Sequence, residues 1–517
     1  MYRLVLAFLV CGVGAVHAAE PVPFGPKVEA ILNAPEFKRA SWGMMVVDAK
    51  TGDTLYEKHP DTFFAPASVT KLFSSAAALS TLGKDFTFET PVFARGRITK
   101  AGVLHGDLIL VASGDLSFGG RNRKDSTELA FENYDHTYAN SGLAECKLTK
   151  TDPLFALNDL AKQIREAGIT DVTGEVMIDD RLFAQTRSSG SGPDVLTAMT
   201  VNDNVVDAVI VPADRKGEKA KVELRPVCST FALDAEVNTA DSSSGPMLIL
   251  TQAGPGQYVL RGSVPAGGKP IVRVIPVDEP TVWARSLFIE ALRRAEVKVQ
   301  APLLRTQAVN LPEAKEYADL RRVGLFTSAT LGEHLKVILK VSSNLYATAL
   351  PCLVAAKNRK STADDGLRLQ RQLLKDLGVE PDAMSFGSGA GGSGADFVTP
   401  RATIQLLQGL AKRDDWKDYR TWLPNLGVDG TLAESVPGDS PAKASTQAKT
   451  GTNVWPDTQN SRPFLRAKSL AGAMTTASGR ELYFAVFLNN VPLKGDMTAA
   501  TVGKTLGKVC EAIHADR

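Results

Sequence analysis

The chain has 517 residues, 44% of them hydrophobic, which is enough to fill more than one core, so two or more domains are expected. Its 59 basic residues are nearly balanced by 57 acidic ones, and a net charge of +2 leaves no polyanion footprint, so no nucleic-acid partner is expected. Six histidines without an H-E-x-x-H spacing and five cysteines without a C-x-x-C pair give no pattern for a catalytic metal or a redox centre.

Residues 1–18 read as a secretory signal: Arg3 supplies a charge, Leu4 to Ala15 is apolar, and Val16-His17-Ala18 offers small residues for cleavage. Export to the periplasm follows as the expected location. No second apolar run reaches the roughly 18 residues that a membrane helix needs, so no transmembrane anchor is expected. Cys11 lies inside the signal; Cys146, Cys228, Cys352 and Cys510 remain in an oxidising compartment. Cys146 with Cys228 and Cys352 with Cys510 are the expected disulfides, with isolated buried thiols as the alternative.

Lys27 to Arg39 is predicted largely helical with a break at Pro35, and Met44 to Val47 with Thr54 to Tyr56 reads as a hairpin. Pro66 opens a helix whose apolar face is Leu72, Phe73, Ala76 and Leu79 and which Gly83 closes, placing Ser68 in its first turn. From about residue 95 to 325 the texture changes to short strands, such as Leu108 to Ala112 and Glu175 to Ile178, with one helix from Pro153 to Ala167. The polar run Asn122 to Asn140 reads as an exposed loop. Leu331 to Val341 is helical, Ser342-Ser343-Asn344 interrupts it, and helix resumes over Leu345 to Leu350 ahead of Pro351. Gly387 to Gly394 contains G-x-G-x-x-G in two registers, but no buried strand leads into it, so a flexible loop near the site is the better reading. Leu470 to Met474 and Leu482 to Leu488 are predicted strands joined by a turn at Ser478-Gly479, and Val502, Leu506, Val509 and Ile513 line one face of a last helix.

Three short motifs fall in order along these elements: Ser68-Val69-Thr70-Lys71, Ser342-Ser343-Asn344 and Lys449-Thr450-Gly451-Thr452. Residues three apart on a helix share a face, so Ser68 Oγ and Lys71 Nζ can meet, and a desolvated lysine can serve as the base that a serine nucleophile needs. Ser-x-x-Lys recurs at Ser440-Pro441-Ala442-Lys443 and Lys-Thr-Gly at Lys50-Thr51-Gly52, both read as turn chemistry without apolar periodicity behind it. The absence of G-x-S-x-G argues against an α/β-hydrolase.

Together with Val398-Thr399-Pro400-Arg401 and Gly427-Val428-Asp429-Gly430-Thr431-Leu432, these motifs resemble the class C low-molecular-mass penicillin-binding proteins, the D-alanyl-D-alanine carboxypeptidases and endopeptidases of peptidase family S13. The resemblance implies an α+β multidomain chain. Residues 25–95 and 325–517 would form a transpeptidase/β-lactamase-like core, an antiparallel sheet flanked by helices, with residues 96–324 as two nested accessory domains. It implies Ser68 as nucleophile toward D-Ala-D-Xaa bonds of peptidoglycan stem peptides, Lys71 as its base, and Ser342 as proton relay to the leaving amine. Asn344 would bind the peptide amide, Lys449, Thr450 and Thr452 the terminal carboxylate, with Gly451 inside that motif, and the N–H groups of Ser68 and Thr452 the oxyanion. No cofactor is implied, and β-lactams would acylate the same serine as inhibitors. Two rivals stay open: a β-lactamase-like hydrolase, although the chain is long for one and Ser342 stands where class C β-lactamases carry tyrosine, and a non-catalytic wall-binding protein on the same fold. The lengthened glycine stretch before Val398, the added segment with Trp455, Pro456 and Pro463, and extra polar material around residues 120–150 depart from the family pattern.

Overall fold

The computed structural model describes residues 24–141, 145–188, 190–304 and 310–516. The signal-sequence assignment, with Cys11, lies outside them.

The central element is a five-stranded antiparallel sheet whose order is Thr446–Asp457, Arg462–Thr475, Glu481–Pro492, Ser41–Asp48, Thr54–Lys58. Its middle joins the two ends of the chain, because Ser41–Asp48 pairs with Glu481–Pro492 from Ser41↔Asn489 to Asp48↔Leu482. Alternation along that strand sorts the core: Met44 and Val46 face the helices Gly25–Leu32 and Ala499–His514, whereas Met45 and Val47 face the opposite layer. That second layer holds the helices Thr70–Leu82, Leu331–Val341, Asn344–Lys357 and Pro400–Ala411. The hairpin turn between the first two strands is Lys50-Thr51-Gly52, where Asp48 Oδ1 accepts from the Lys50 and Thr51 N–H groups, so this copy of Lys-Thr-Gly is turn chemistry as expected.

The helix expected before Pro351 instead runs through it to Lys357. Pro351 lies within a helix whose residues from Asn344 to Ala355 are all buried, and tertiary packing overrides the local cost of a proline.

The segment between the two halves of the core leaves and returns side by side, as Thr87–Ile98 pairs antiparallel with Arg321–Thr330. Both belong to a six-stranded sheet that also contains Val103–Val111, Asp171–Val172, Val176–Asp179 and Lys298–Val299. The helices Phe155–Glu166 and Pro280–Arg294 contribute Leu157, Leu160, Leu287 and Phe288 to the same core cluster as that sheet's Leu108 and Leu110. Two three-stranded sheets follow, one centred on Val205–Val211 and one on Gln257–Pro265. Among the described residues no helix is long and apolar enough to cross a membrane.

The expected disulfides are not formed: the four described cysteines are buried as separate thiols. Cys352 packs in the helical layer on one face of the central sheet and Cys510 in the cluster on the other, so the sheet separates them. Cys146 packs with Ala139, Val205 and Val272, away from the cluster that holds Cys228.

Candidate active site

Ser68 sits in a single 3-10 turn, Ala67–Val69, immediately ahead of the helix Thr70–Leu82, one step earlier than the expected first α-turn. That helix is buried along most of its length, from Thr70 to Leu79, so Lys71 is carried into the interior with no exposed surface. Lys71 Nζ lies 2.7 Å from Ser68 Oγ, 2.8 Å from Asn344 Oδ1 and 2.9 Å from the Ala390 carbonyl oxygen. Desolvation and the nearby Lys449 ammonium hold its pKa well below that of an ordinary lysine, against a smaller opposing pull from Asp396. Asn344 Oδ1 and the Ala390 carbonyl can only accept. The two hydrogens of a neutral amine are therefore committed to them, and its lone pair is left facing the Ser68 hydroxyl.

The glycine stretch 387–394 is pinned rather than flexible. Asp396 accepts from the Gly387, Ser388 and Ser393 N–H groups and from the Ser388 hydroxyl, and Ser388 Oγ accepts from Gly391 N–H. This clamp presents the Ala390 carbonyl to Lys71 and the Gly389 carbonyl to Ser74. Gly391 has φ +90, and a Cβ there would fall 1.9 Å from the Ala67 carbonyl oxygen. Gly391→Ala is expected to destabilise the fold by about 1–3 kcal/mol through overpacking and a strained φ, read by thermal or urea unfolding.

Ser342 caps the helix Leu331–Val341 in the left-handed region, φ +63, and its carbonyl accepts a 2.5 Å hydrogen bond from the Tyr138 hydroxyl. Lys449 Nζ donates to Ser342 Oγ at 3.0 Å and to the Thr450 carbonyl at 2.9 Å. Desolvation, and then the neighbouring Lys468, push the Lys449 pKa down to about 7. Thr450 Oγ1 lies 2.7 Å from Thr431 Oγ1. Gly451 lets the edge strand Thr446–Asp457 lie against the nucleophile turn: a Cβ there would meet Ser469 Oγ at 2.2 Å and the Pro66 carbonyl oxygen at 2.4 Å.

Two clefts meet at Ser68. One, of 280 Å³, includes Ser342, Thr450, Thr452, Lys468 and Tyr138. The other, of 670 Å³, includes Asn344, Ala390, Gly391, Thr452 and Trp455. All eight residues singled out by the three motifs thus converge on one place. The duplicate Ser440 is elsewhere, its hydroxyl donating to Glu511 on the C-terminal helix.

The D-Ala-D-Ala carboxypeptidase 3 (S13) family model matches residues 25–509. The chain belongs to this family. It is an enzyme of the serine-type D-Ala-D-Ala carboxypeptidase class. This S13 chain is 29% identical over 451 residues to a D-alanyl-D-alanine carboxypeptidase of Actinomadura sp. (strain R39), covering 82% of this chain and 75% of that protein. Its fold is similar to the crystal structure of penicillin binding protein 4 (dacB) from Haemophilus influenzae, with a TM-score of 0.69 at 20% identity over 93% of this chain and 98% of that one. A second structure of that protein, complexed with a novel β-lactam, gives a TM-score of 0.66 at 21% identity over 93% of this chain and 97% of that one.

Several residues that line these clefts or touch the motif residues were not singled out from the sequence. Lys468 Nζ donates to Thr452 Oγ1 at 2.8 Å from the neighbouring strand. The supposed exposed loop Asn122 to Asn140 turns inward at its second half: Asp135, His136 and Thr137 are buried, and Tyr134 and Tyr138 line the smaller cleft. Asn344 Nδ2 lies 3.5 Å from the Ser191 carbonyl oxygen, so the inserted segment reaches the second motif as well. The added segment after Thr452 prolongs a hairpin, with Trp455 opposite Phe464 and Arg466 stacked 4.2 Å from the Trp455 ring, and it forms part of the larger cleft's wall.

Behind Tyr138 lies a buried ion network. Arg121 Nη2 donates to Asp135 at 2.6 Å and Asp203 at 2.5 Å, and its Nε to the Tyr346 hydroxyl, which in turn donates to Asp203. His136 is flanked by Asp207 at 2.6 Å and Asp203 at 2.8 Å. Burial alone would lower the His136 pKa, but those carboxylates push it up to about 10 and keep it an imidazolium. Ligand atoms of Asp135, His136 and Asp203 lie within 4.8 Å of one another, and each of the three side chains is engaged by hydrogen bonds within this network.

Proposed function

We propose that the chain is a periplasmic serine D,D-peptidase that removes the terminal D-alanine of peptidoglycan stem peptides, and cuts D-Ala-meso-diaminopimelate cross-links, through an acyl-enzyme at Ser68. The supporting observation is the Lys71 amine, desolvated and aimed 2.7 Å from Ser68 Oγ with its hydrogens held elsewhere. Lys71 takes the proton as Ser68 Oγ attacks the scissile carbonyl, whose developing oxyanion is met by the Ser68 and Thr452 N–H groups. Asn344 aligns the peptide amide. Lys449, Thr450 and Thr452 hold the terminal carboxylate on the other side of Ser68, with Gly451 keeping that strand close. Ser342, hydrogen-bonded to Lys449, passes a proton to the departing amine, and water then releases the acyl group. A β-lactam enters by the same attack. The reading includes export by residues 1–18, a catalytic domain formed from 25–95 with 325–517, and residues 96–324 as two nested accessory domains.

Labelling with a fluorescent penicillin tests it. Wild type and Ser440→Ala are expected to label to one equivalent, Ser68→Ala not at all, with D-alanine release lost in parallel. Equal labelling of all three proteins would overturn the assignment. Rapid catalytic turnover of nitrocefin would favour the β-lactamase rival, and peptidoglycan binding without D-alanine release the non-catalytic one.

A further inference from the structure

The carboxylate end of the cleft holds one more cation than the three motifs supply. Lys468 lies on the strand Arg462–Thr475, directly across from Thr452, and its Nζ donates to Thr452 Oγ1 at 2.8 Å. Its side chain lines the same 280 Å³ cleft as Ser68, Ser342, Thr450 and Thr452. Among the described residues no carboxylate forms an ion pair with Lys468 or with Lys449. Partly buried cations normally find a counter-ion, because desolvation without one is costly.

We infer that Lys468 is a second cation of the carboxylate clamp, which with Lys449 and Thr452 selects substrates whose leaving residue carries a free carboxylate on the carbon next to the scissile bond. The inference rests on the D,D-peptidase reading above and extends it to a residue outside all three motifs. A D-amino acid leaving group brings that carboxylate to the Thr450 and Thr452 hydroxyls, and the Lys468 ammonium beside Thr452 Oγ1 can follow it with little movement. Burial lowers the Lys468 pKa to about 8, and Lys468 helps to hold Lys449 near 7, so an incoming anion between them favours the protonated form of both.

Two thioesters of the same N-acyl-D-alanine test this, one leaving as thioglycolate and the other as its methyl ester, so that only the leaving-side carboxylate differs. Wild type, Lys468→Gln and Lys468→Arg are compared by thiol release at pH 6.5. For Lys468→Gln, kcat/KM on the acid is expected to fall about 10- to 100-fold, mostly as a rise in KM, as for a lost hydrogen bond to a charged group present in both ground and transition states. On the methyl ester the change is expected to stay within about threefold, and Lys468→Arg is expected to recover most of the loss on the acid. Equal losses on both thioesters would make Lys468 a structural support and overturn the inference, as would an unchanged acid substrate. Wild-type protein that turned over neither thioester and took up no penicillin would instead overturn the D,D-peptidase reading on which the inference stands.

Discussion

Lys71→Met is expected to slow both penicillin acylation and D-alanine release about 10³-fold, within the range that a positioned general base contributes. Methionine keeps the length of the side chain but has no lone pair basic enough to take the Ser68 proton. The wild-type pH profile carries the same argument. The Lys71 pKa is depressed by burial and by Lys449, so the amine becomes neutral and competent as pH rises through a value well below the usual lysine range. In the proposed roles Lys449 and Lys468 act with the opposite sign, since each would have to be protonated to hold a carboxylate and loses that charge as pH rises through about 7 and about 8. kcat/KM for a carboxylate-bearing substrate is therefore expected to be bell-shaped, rising on Lys71 and falling between about pH 7 and 8. With a leaving group that lacks the carboxylate, the falling limb is expected to vanish. All three amines bind protons more weakly in the folded than in the unfolded chain, so folding stability gains from them as pH rises from about 7 toward 10. A pH-independent rate for the carboxylate substrate between pH 6 and 9 would contradict this account of the three lysines.

The motif residues were legible because each combines a residue type with a local element that the sequence also specifies. Apolar periodicity from Leu72 to Leu79 announces a buried helix, so Lys71 at its start could be desolvated, and Ser68 three residues earlier could face it. Leu331 to Val341 reads as helix for the same reason, and the break at Ser342 is where its backbone turns left-handed. Lys468 was hidden because its meaning comes from the strand register that sets it opposite Thr452, which local pattern does not encode. Asn122 to Asn140 misled for a different reason: its polar composition suggests solvent, but Asp135 and His136 are satisfied by Arg121, Asp203 and Asp207, partners up to 71 residues away. The disulfide expectation failed because an even cysteine count says nothing about a sheet standing between Cys352 and Cys510.

Arg121→Met is expected to destabilise the protein by about 3–5 kcal/mol in urea unfolding, the cost of leaving buried charge uncompensated. Arg121 is the cation shared by Asp135 and Asp203, both buried, and its loss would leave His136, which also serves Asp207, and the more distant Arg225, paired with Asp207 at 3.6 Å, to balance them. If the penalty is electrostatic, removing one of the stranded carboxylates should relieve part of it, so Arg121→Met with Asp203→Asn is expected to be less destabilised than the sum of the two single changes. Simple additivity would mean that Arg121 acts by packing alone. The network also bears on the site, because Tyr346 lies on the helix that begins with Asn344, Asp203 belongs to the inserted segment, and Tyr138, three residues after Asp135, donates to the Ser342 carbonyl. Penicillin acylation of Arg121→Met is therefore expected to slow even at temperatures where the protein remains folded, since the inserted segment would no longer hold the second motif against Lys71 and Lys449.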